Sequence, residues 1–504
     1  MSNSHEEEIE MIGFDYVPAN AKASAVFVEQ KAVRGSLGTL LIPHKIALLG
    51  QYNTGKTPTD NVAQLLTDPD DAATRYGLGS MLHIMAKAAF AGAGIVPVYA
   101  IPLADGAGVA ASSDITVGVA TVTTGTISLY IGGRRVSIAV NAGQTADEIA
   151  TAIRAAVNAD THLPVAATGA TSHVILTCRW KGTTGNGIRI QQDLADGESL
   201  QEPGGVTLTI PMMSGGTVDP TLTTALANLG DAWYTEIVSP YVDATSLTAI
   251  DAAWTARINP GVKRPFAGIM ASILGQGDFI TLVSARNSPS TTIVPVQDSP
   301  HAPYEIAAAA AGVVAARATA TPGRPYRGLT VPGIRRGSTP PWTYAQRDAV
   351  IAAGGSTTMP QTDSTVKIED LATTYKTNSQ GGADDSWRWT ETIANIQEKI
   401  YSCEQLFSGS PFDAAVIVDD ASVTAQPYAV RPKTAKAFVI RLIDELWVPC
   451  ALTKERDAVV AGIIAEINGS NPGRLDILIP DVLAAGLKII AGRIQWSFYA
   501  PVGA

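Results

Sequence analysis

Gly50, Gly55, Lys56 and Thr57 stand at the G-x-x-x-x-G-K-[ST] spacing of a phosphate-cradling loop, directly after the apolar run Ile46–Leu49. In such a loop backbone N–H groups hold the phosphates, the lysine reaches the terminal ones and the hydroxyl ligates magnesium. Pro58 argues against it, because it disfavours helical geometry at Thr57, where the loop should pass into its helix. Thr57–Asp60 reads instead as a turn with a fresh helix cap. A magnesium-holding aspartate is also required at the end of an apolar strand. Asp419 follows Ala415–Val418 but lies in the C-terminal region, and Asp444 sits in a run that reads as helix. A plain surface loop is the expected role of Gly50–Thr57, with a P-loop nucleotide-binding protein using Lys56 and Thr57 as the alternative.

Little other chemistry is spelled out. The six histidines, His5, His44, His83, His162, His173 and His301, are scattered without metal-ligand spacing. His83 reads as a helix-face residue. There is no G-x-S-x-G elbow, and Gly77 and Gly79 lack the third glycine of a dinucleotide fingerprint. The acidic pairs Asp384–Asp385 and Asp419–Asp420 read as solvated loop residues. Trp387, Trp389 and Trp496 read as packing residues. Cys178, Cys403 and Cys450 are poor material for a disulfide framework or a zinc site. Neither a catalytic centre nor a cofactor or metal is expected, and the chain reads as no enzyme.

Composition points to association. A chain of 504 residues is long enough for two or three domains. Met1–Glu10 is acidic where a secretory signal is basic, and the best apolar run, Phe90–Leu103, is broken by Pro97 and Pro102. Neither export nor a membrane partner is expected. A net charge of -10 without a basic run argues against a direct nucleic-acid partner. Charged residues make up 16%, against about 25% in an average domain. Hydrophobic residues reach 46% and mean hydropathy is +0.14. Interface cores are depleted in charge, so this balance suits surface hidden against neighbours; a large core rich in Ala and Gly is the plainer reading.

The periodicities place elements along the chain. Ile46–Leu49 reads as a strand, Met81, Ile84, Met85 and Ala88 as a helix face, and Ile95–Tyr99 as a second strand. Further strands are predicted at Thr235–Val238, Phe266–Met270 and Thr292–Val296, and a buried Ala-rich helix at Tyr304–Ala318. Short apolar strands alternating with helices indicate a largely parallel α/β layer. The alternation is interrupted by a β-rich stretch, where Thr126–Tyr130 and Val136–Val140 flank the turn at Gly132 and Gly133. Thr145 and Glu148 there have capping-box spacing, ahead of Ile149, Ile153 and Val157 on one helix face. Val174–Cys178 and Val206–Ile210 supply further strands. Later, Ile393, Ile396, Ile400, Cys403 and Phe407 make a helical stripe, and so do Val460, Ile463, Ile464 and Ile467. Arg493–Phe498 alternates polar and apolar strictly, as a half-buried strand does, with no hairpin partner after it. Ala25–Glu29 is a second short strand-like run, and the small, polar residues Ala19–Ala25 before it suit a flexible connection.

The expected fold is thus α/β and α+β multidomain. An extended N-terminal arm spans 1–30; an α/β sandwich domain spans 31–105 and 216–335; a β-rich α+β domain is inserted at 106–215. A C-terminal α+β domain spans 336–504 and ends in a strand.

Several segments resemble a known family. Phe14–Pro18, Phe27–Glu29, Ala32–Gly35 and Leu48–Gln51 resemble the opening arm and first strand of the tail sheath family of Mu-like contractile-tailed bacteriophages. Tyr76–Leu82 resembles that family's glycine turn and helix start, and Ala285–Pro289, Thr373–Asn378 and Asn471–Asp476 resemble later landmarks. Ala491–Gln495 resembles its final strand. Their order and spread over nearly the whole chain make the set specific. Residues 402–432 depart from the pattern, and the family does not require the Gly55-Lys56-Thr57 match.

The resemblance implies a structural subunit that polymerises as stacked hexameric rings around a tail tube. The sheath contracts to drive the tube through the host envelope for DNA ejection and host cell entry. It implies that both chain ends pair with a neighbouring subunit's sheet, through Phe14, Tyr16, Val26, Phe27 and Val28, and through Arg493, Ile494, Gln495, Trp496 and Phe498. The C-terminal domain, 336–504, faces the tube and touches it within Pro480–Lys488, at Asp481 and Lys488, while 106–215 lies outside. The implied partners are further copies of the chain, the tail tube protein, and baseplate and tail terminator proteins. The implied location is the virion, after assembly in the host cytoplasm. The sheath of a non-viral contractile injection system would read the same way.

Overall fold

The structure, a computed structural model, describes residues 41–195, 197–424, 426–494 and 496. The expected arm strands at Phe14–Val17 and Ala25–Glu29, and Gln495 and Phe498 of the expected last strand, lie outside the described residues.

The first segments build half of a sheet. β1 (Ile46–Gln51) is buried at all six positions, as a strand covered on both faces must be. β2 (Gln64–Leu66) leads to α1 (Pro69–Tyr76), capped by Asp68, whose side chain accepts from the backbone N–H of Asp71. α2 (Met81–Ala93) is capped by Ser80. Gly79 precedes it with φ +70°, and a β-carbon there would lie 2.3 Å from the Leu163 carbonyl oxygen. β3 (Val98–Leu103) runs parallel to β1 with Ile46 opposite Val98. The strand expected at Ile95–Tyr99 therefore starts later. Ile95 is exposed, and Pro97, which has no N–H to give a ladder, offers its carbonyl to Ile46 N at 3.0 Å.

Next comes a β-rich unit: β4 (Ser112–Val119), β5 (Gly125–Ile131), β6 (Arg134–Val140), α3 (Ala146–Ala159), β7 (Val165–Thr168), β8 (His173–Cys178), β9 (Ile190–Gln192) and β10 (Val206–Thr209). Its strands form two antiparallel sheets, ordered β10-β4-β8-β7 and β6-β5-β9. β6 buries Val136, Ile138 and Val140 and exposes the residues between them, the alternation of a half-buried strand. The Thr145–Glu148 capping box forms, and α3 buries Ile149, Ile153 and Val157.

The sheet then resumes with α4 (Thr223–Ala227), β11 (Glu236–Val238), α5 (Ala244–Ile258), β12 (Ala267–Ser272), α6 (Gln276–Ser284), β13 (Thr291–Pro295) and α7 (Pro303–Ala320). Its order is β13-β12-β11-β1-β3-β2, parallel except for β2. Because successive side chains of a strand face opposite ways, Ile46 and Leu48 pack with α2 and α7, and Ala47 and Leu49 with α5 and α6. α7 is buried nearly all round, from Tyr304 through Ala307–Ala311 to Ala318, as its composition predicts. The β-rich unit leans on this layer, with the rings of Trp180 and Tyr304 edge to face at 5.5 Å.

The remainder holds β14 (Thr330–Arg335), α8 (Tyr344–Ala352), β15 (Thr357–Pro360), β16 (Thr365–Asp370), α9 (Thr390–Ser408), β17 (Val416–Ile417), β18 (Ala429–Val430), α10 (Pro432–Leu442), α11 (Arg456–Gly462), β19 (Ile464–Ile467) and β20 (Leu475–Leu478). β14, β16 and β15 form a three-stranded sheet, and β19 and β20 a hairpin. The molecule is thus a mixed α/β chain.

Two expectations here fail for physical reasons. α9 forms, but of its expected stripe only Ile393 is buried; the buried side chains include Glu391, Asn395, Gln397, Glu398 and Lys399. That face spends its polar atoms on chain ends. Gln397 Nε2 donates to the carbonyls of Thr235 and Pro265 at 3.0 and 3.1 Å, and Glu398 Oε2 accepts from Ile42 N at 2.8 Å. The stripe read at Val460, Ile463, Ile464 and Ile467 does not belong to one helix. α11 ends at Gly462, where a β-carbon would stand 2.5 Å from Pro480 Cγ, and Ile464–Ile467 is strand β19.

Candidate functional site

The phosphate-loop residues do not make a phosphate loop. Gly50 lies inside β1, where a β-carbon would meet Leu82 Cδ2 at 3.0 Å. Lys56 N donates to Asn53 O at 3.2 Å, closing a turn, and Lys56 Nζ donates to the Thr74 carbonyl at 2.8 Å. β2, not a helix, follows Thr57. The anion-holding helix N-terminus is missing from the place the chemistry needs it. Asp420, beside Asp419, accepts from Lys433 N at 3.0 Å.

The histidines are held by local partners. His83 Nδ1 accepts from Gly79 N at 3.1 Å, and its ring lies 5.4 Å from that of His162. Burial, then neighbouring His162, pushes the His83 imidazole down to about 4. His44 pairs with Glu236 at 2.8 Å. Among the described residues no three His, Cys, Asp or Glu side chains are placed to hold a metal. No helix among them is long and apolar enough to cross a membrane.

The C-terminal stretch is arranged differently. β19 and β20 pair antiparallel, Ile464 opposite Leu478 and Ile467 opposite Leu475, around a turn in which Asn468 Oδ1 accepts from Ser470 N and Asn471 N. No further strand pairs with either outer edge among the described residues, and Ile464 and Leu478 are more than half exposed. A lone two-stranded hairpin is marginal in water. This one rests on the small core of Leu442, Trp447, Leu452 and Val459 through Ile477 and Ile479. The signal that finds the hairpin is the turn chemistry of Asn468–Arg474, with Gly469, Pro472 and Gly473 in one loop.

Beyond β20 the chain runs extended and is tied down at intervals. Asp481 forms an ion pair with Lys399 of α9 and accepts from Thr453 Oγ1 at 2.7 Å. Burial pulls the Lys399 ammonium below its ordinary range, and Asp481 opposes that shift. Lys454 N donates to Val482 O and Ala484 N to Leu452 O, on either side of a bridge between Thr453 and Leu483. Lys488 is the next tie. Its Nζ lies 2.8 Å from Asp370 Oδ1, 2.6 Å from Glu391 Oε1 and 4.1 Å from the centre of the Trp389 ring. Burial pushes the Glu391 carboxyl up, and the Lys488 charge pulls it back. Past this point Ile489, Ile490 and Ile494 are 78%, 82% and 91% exposed, and Trp496 is 78% exposed.

The structure thus separates the predicted site residues. Asp481 and Lys488 turn their charges into the chain's own ion pairs. Arg493, Ile494 and Trp496 lie on the surface. The polar buried face of α9, which holds both lysine and glutamate partners of this run, was not foreseen; the sequence marks it only by Glu391, Asn395, Gln397, Glu398 and Lys399 recurring along one helix.

No family model matches the chain. It is 27% identical over 487 residues to the Mu-like prophage FluMu tail sheath protein of Haemophilus influenzae (strain ATCC 51907 / DSM 11121 / KW20 / Rd), covering 96% of this chain and 99% of that one. Among solved structures, a sheath tail protein from Listeria innocua superposes with TM-score 0.45 at 13% identity, covering 88% of this chain and 92% of its own. The PVC sheath complex of an extracellular contractile injection system, in its contracted state, gives TM-score 0.48 at 11% identity, covering 95% and 98%. Matched over nearly all of both sequences, the chain is a relative of the tail sheath proteins of Mu-like phages, which are structural proteins and not enzymes.

Proposed function

We propose that this chain is the subunit of a contractile tail sheath, stacking as hexameric rings around a tail tube and contracting to drive that tube through a host envelope. One observation carries the reading: in a relative of sheath proteins, an apolar run leaves the body after Lys488 and stands in solvent beside a hairpin with open edges. Exposed strand edges are templates for another chain and are suppressed in monomers. A polymer uses them by strand addition. When the run of one copy adds to the edge of the next, the contact is heterologous and does not close, so it propagates as a helix. The low charged fraction, 16%, suits a surface covered by neighbours. The N-terminal residues Phe14, Tyr16 and Val26–Val28 serve the same linkage in this reading, and Arg493–Phe498 form the exchanged strand.

In the same reading 336–504 faces the tube, 106–215 lies outside, and baseplate and terminator proteins bound the sleeve at its two ends in the virion. Contraction is then a rigid-body rearrangement of subunits whose linking runs stay engaged.

Electron microscopy of the purified full chain tests this. Tubes are expected from the native sequence, and folded subunits without tubes from a chain carrying Ile494→Asp and Trp496→Asp. Native-like tubes from that variant would refute the exchange of this run.

A further inference from the structure

The run that we read as the inter-subunit link is not free along its length, and the place where it becomes free is sharply marked. Up to Lys488 it is held. Asp481 is tied to Lys399 and Thr453, and Gly486 lies so close to Pro325 that a β-carbon there would stand 2.3 Å from Pro325 Cγ. Arg327 Nη1 donates to the Lys488 carbonyl at 3.2 Å. The Lys488 side chain is 17% exposed, and the very next residue is 78% exposed.

We infer that Lys488 is the positioning residue that fixes the departure point of the C-terminal run, so that the run swings from the bond between Lys488 and Ile489 while everything before it moves with the body. The inference rests on the proposed role of the run.

The chemistry of the cluster suits an anchor. Glu391 lies on α9 and is 5% exposed; Asp370 ends β16; Trp389 immediately precedes α9. The ammonium of Lys488 therefore clamps the run to two different elements at once, with an indole face beneath it. A partly buried ammonium between two carboxylates is costly to withdraw, because Glu391 would be left as a buried charge without its neutralising partner. A neighbour that pulls on the exposed apolar run then transmits force into α9 and the β14–β16–β15 sheet instead of peeling the run off the surface. Asp481 cannot play this part alone, since seven residues separate it from Lys488 and the run would peel back over that length.

The test uses the full chain with Lys488→Met, Lys488→Arg and the double variant Lys488→Met/Glu391→Gln. Limited proteolysis of the unpolymerised subunit reads the anchor directly. Cleavage within 482–490 should rise roughly tenfold in Lys488→Met, because local opening becomes easier by about that factor. Lys488→Arg should stay near the native rate. The double variant leaves no unpaired Glu391 charge, so it should recover the native melting temperature and still be cleaved fast, which separates anchoring from stability. Its tubes should form more slowly or with irregular diameter. Native cleavage rates in both methionine variants would overturn the anchor, and so would native tube kinetics in the double variant. If the native chain forms no tubes at all, the proposed function fails, and the proteolysis still decides the anchor.

Discussion

Gly312 on α7 lies against the carbonyl oxygen of Ala89 on α2, so closely that a β-carbon on Gly312 would stand 2.4 Å from it. The approach is mutual: a β-carbon on Gly92 would meet Val313 Cγ1 at 2.7 Å. Two helices touch backbone to backbone here, and the layer that carries the β-rich unit is set by that contact. Backbone cannot move aside as a side-chain tip can. Gly312→Ala should therefore destabilise the subunit by about 2–4 kcal/mol. Gly277→Ala, in α6 with nothing within 4 Å of its added carbon, should be neutral or stabilise by up to about 1 kcal/mol. Urea unfolding of the two variants checks the contrast; equal midpoints would contradict the packing.

His83 makes acid stability a local property of the seam between α2 and the β-rich unit. Its folded-state value is lowered from the ordinary 6.5 to about 4, by burial first and by His162 next. The unfolded chain thus binds this proton near 6.5 and the folded chain only near 4. Stability from the neutral ring is fully present above that window and is lost as pH falls through it. The loss should be on the order of 2 kcal/mol. His83→Gln, which cannot titrate, should flatten the pH dependence of the melting temperature between 4 and 6.5. An unchanged slope would place the titration elsewhere.

What could be read from residue order alone divides along a physical line. α7 and the Thr145–Glu148 cap were readable because the cause is local: an unbroken apolar composition, and two side chains three residues apart. β3 was misplaced because its register is set by β1, through Ile46 opposite Val98, and no feature of its own sequence says so. α9 was misread in kind. Its buried face is polar because it satisfies carbonyls at Thr235, Pro265 and Leu452, all distant in sequence. The run Val460–Ile467 suited helix and strand alike, and the turn at Asn468–Arg474 with Gly462 against Pro480 decided it. Of the candidate site, the exposed apolar positions Ile494 and Trp496 were foreseen, whereas the inward ties of Asp481 and Lys488 depend on α9 and could not be.

Lys56 gives a simple negative prediction. Its ammonium is spent on the Thr74 carbonyl, the chain before Gly55 is a buried strand, and no helix receives a phosphate at Thr57. Magnesium-ATP should leave the melting temperature of the native chain unchanged. Lys56→Ala should alter stability by no more than about 0.5 kcal/mol, as exposed substitutions do. A nucleotide-dependent rise in melting temperature that disappears in Lys56→Ala would restore the phosphate-loop reading.

Asp481 distinguishes two roles that the same residue could have. If it served only to touch a tube, Asp481→Asn would leave the isolated subunit as stable as before and change only assembly on the tube. The geometry argues for a different outcome. Asp481 accepts from Thr453 at 2.7 Å and neutralises Lys399, whose ammonium also donates to the Leu452 carbonyl at 3.1 Å and lies 5.0 Å over the Trp447 ring. Lys399 is 8% exposed and Asp481 15% exposed, so solvent screens the pair little. Removing one charge strands the other in an apolar site, which costs about 3–5 kcal/mol for fully buried pairs and somewhat less at this depth. Asp481→Asn should lower the stability of the isolated subunit by about 2–3 kcal/mol. Adding Lys399→Met should recover most of the loss, because no unpaired charge then remains. Denaturant unfolding of the single and double variants, in the absence of any tube, measures both; a single variant as stable as the native chain would show that Asp481 faces outward and leave it available to a partner.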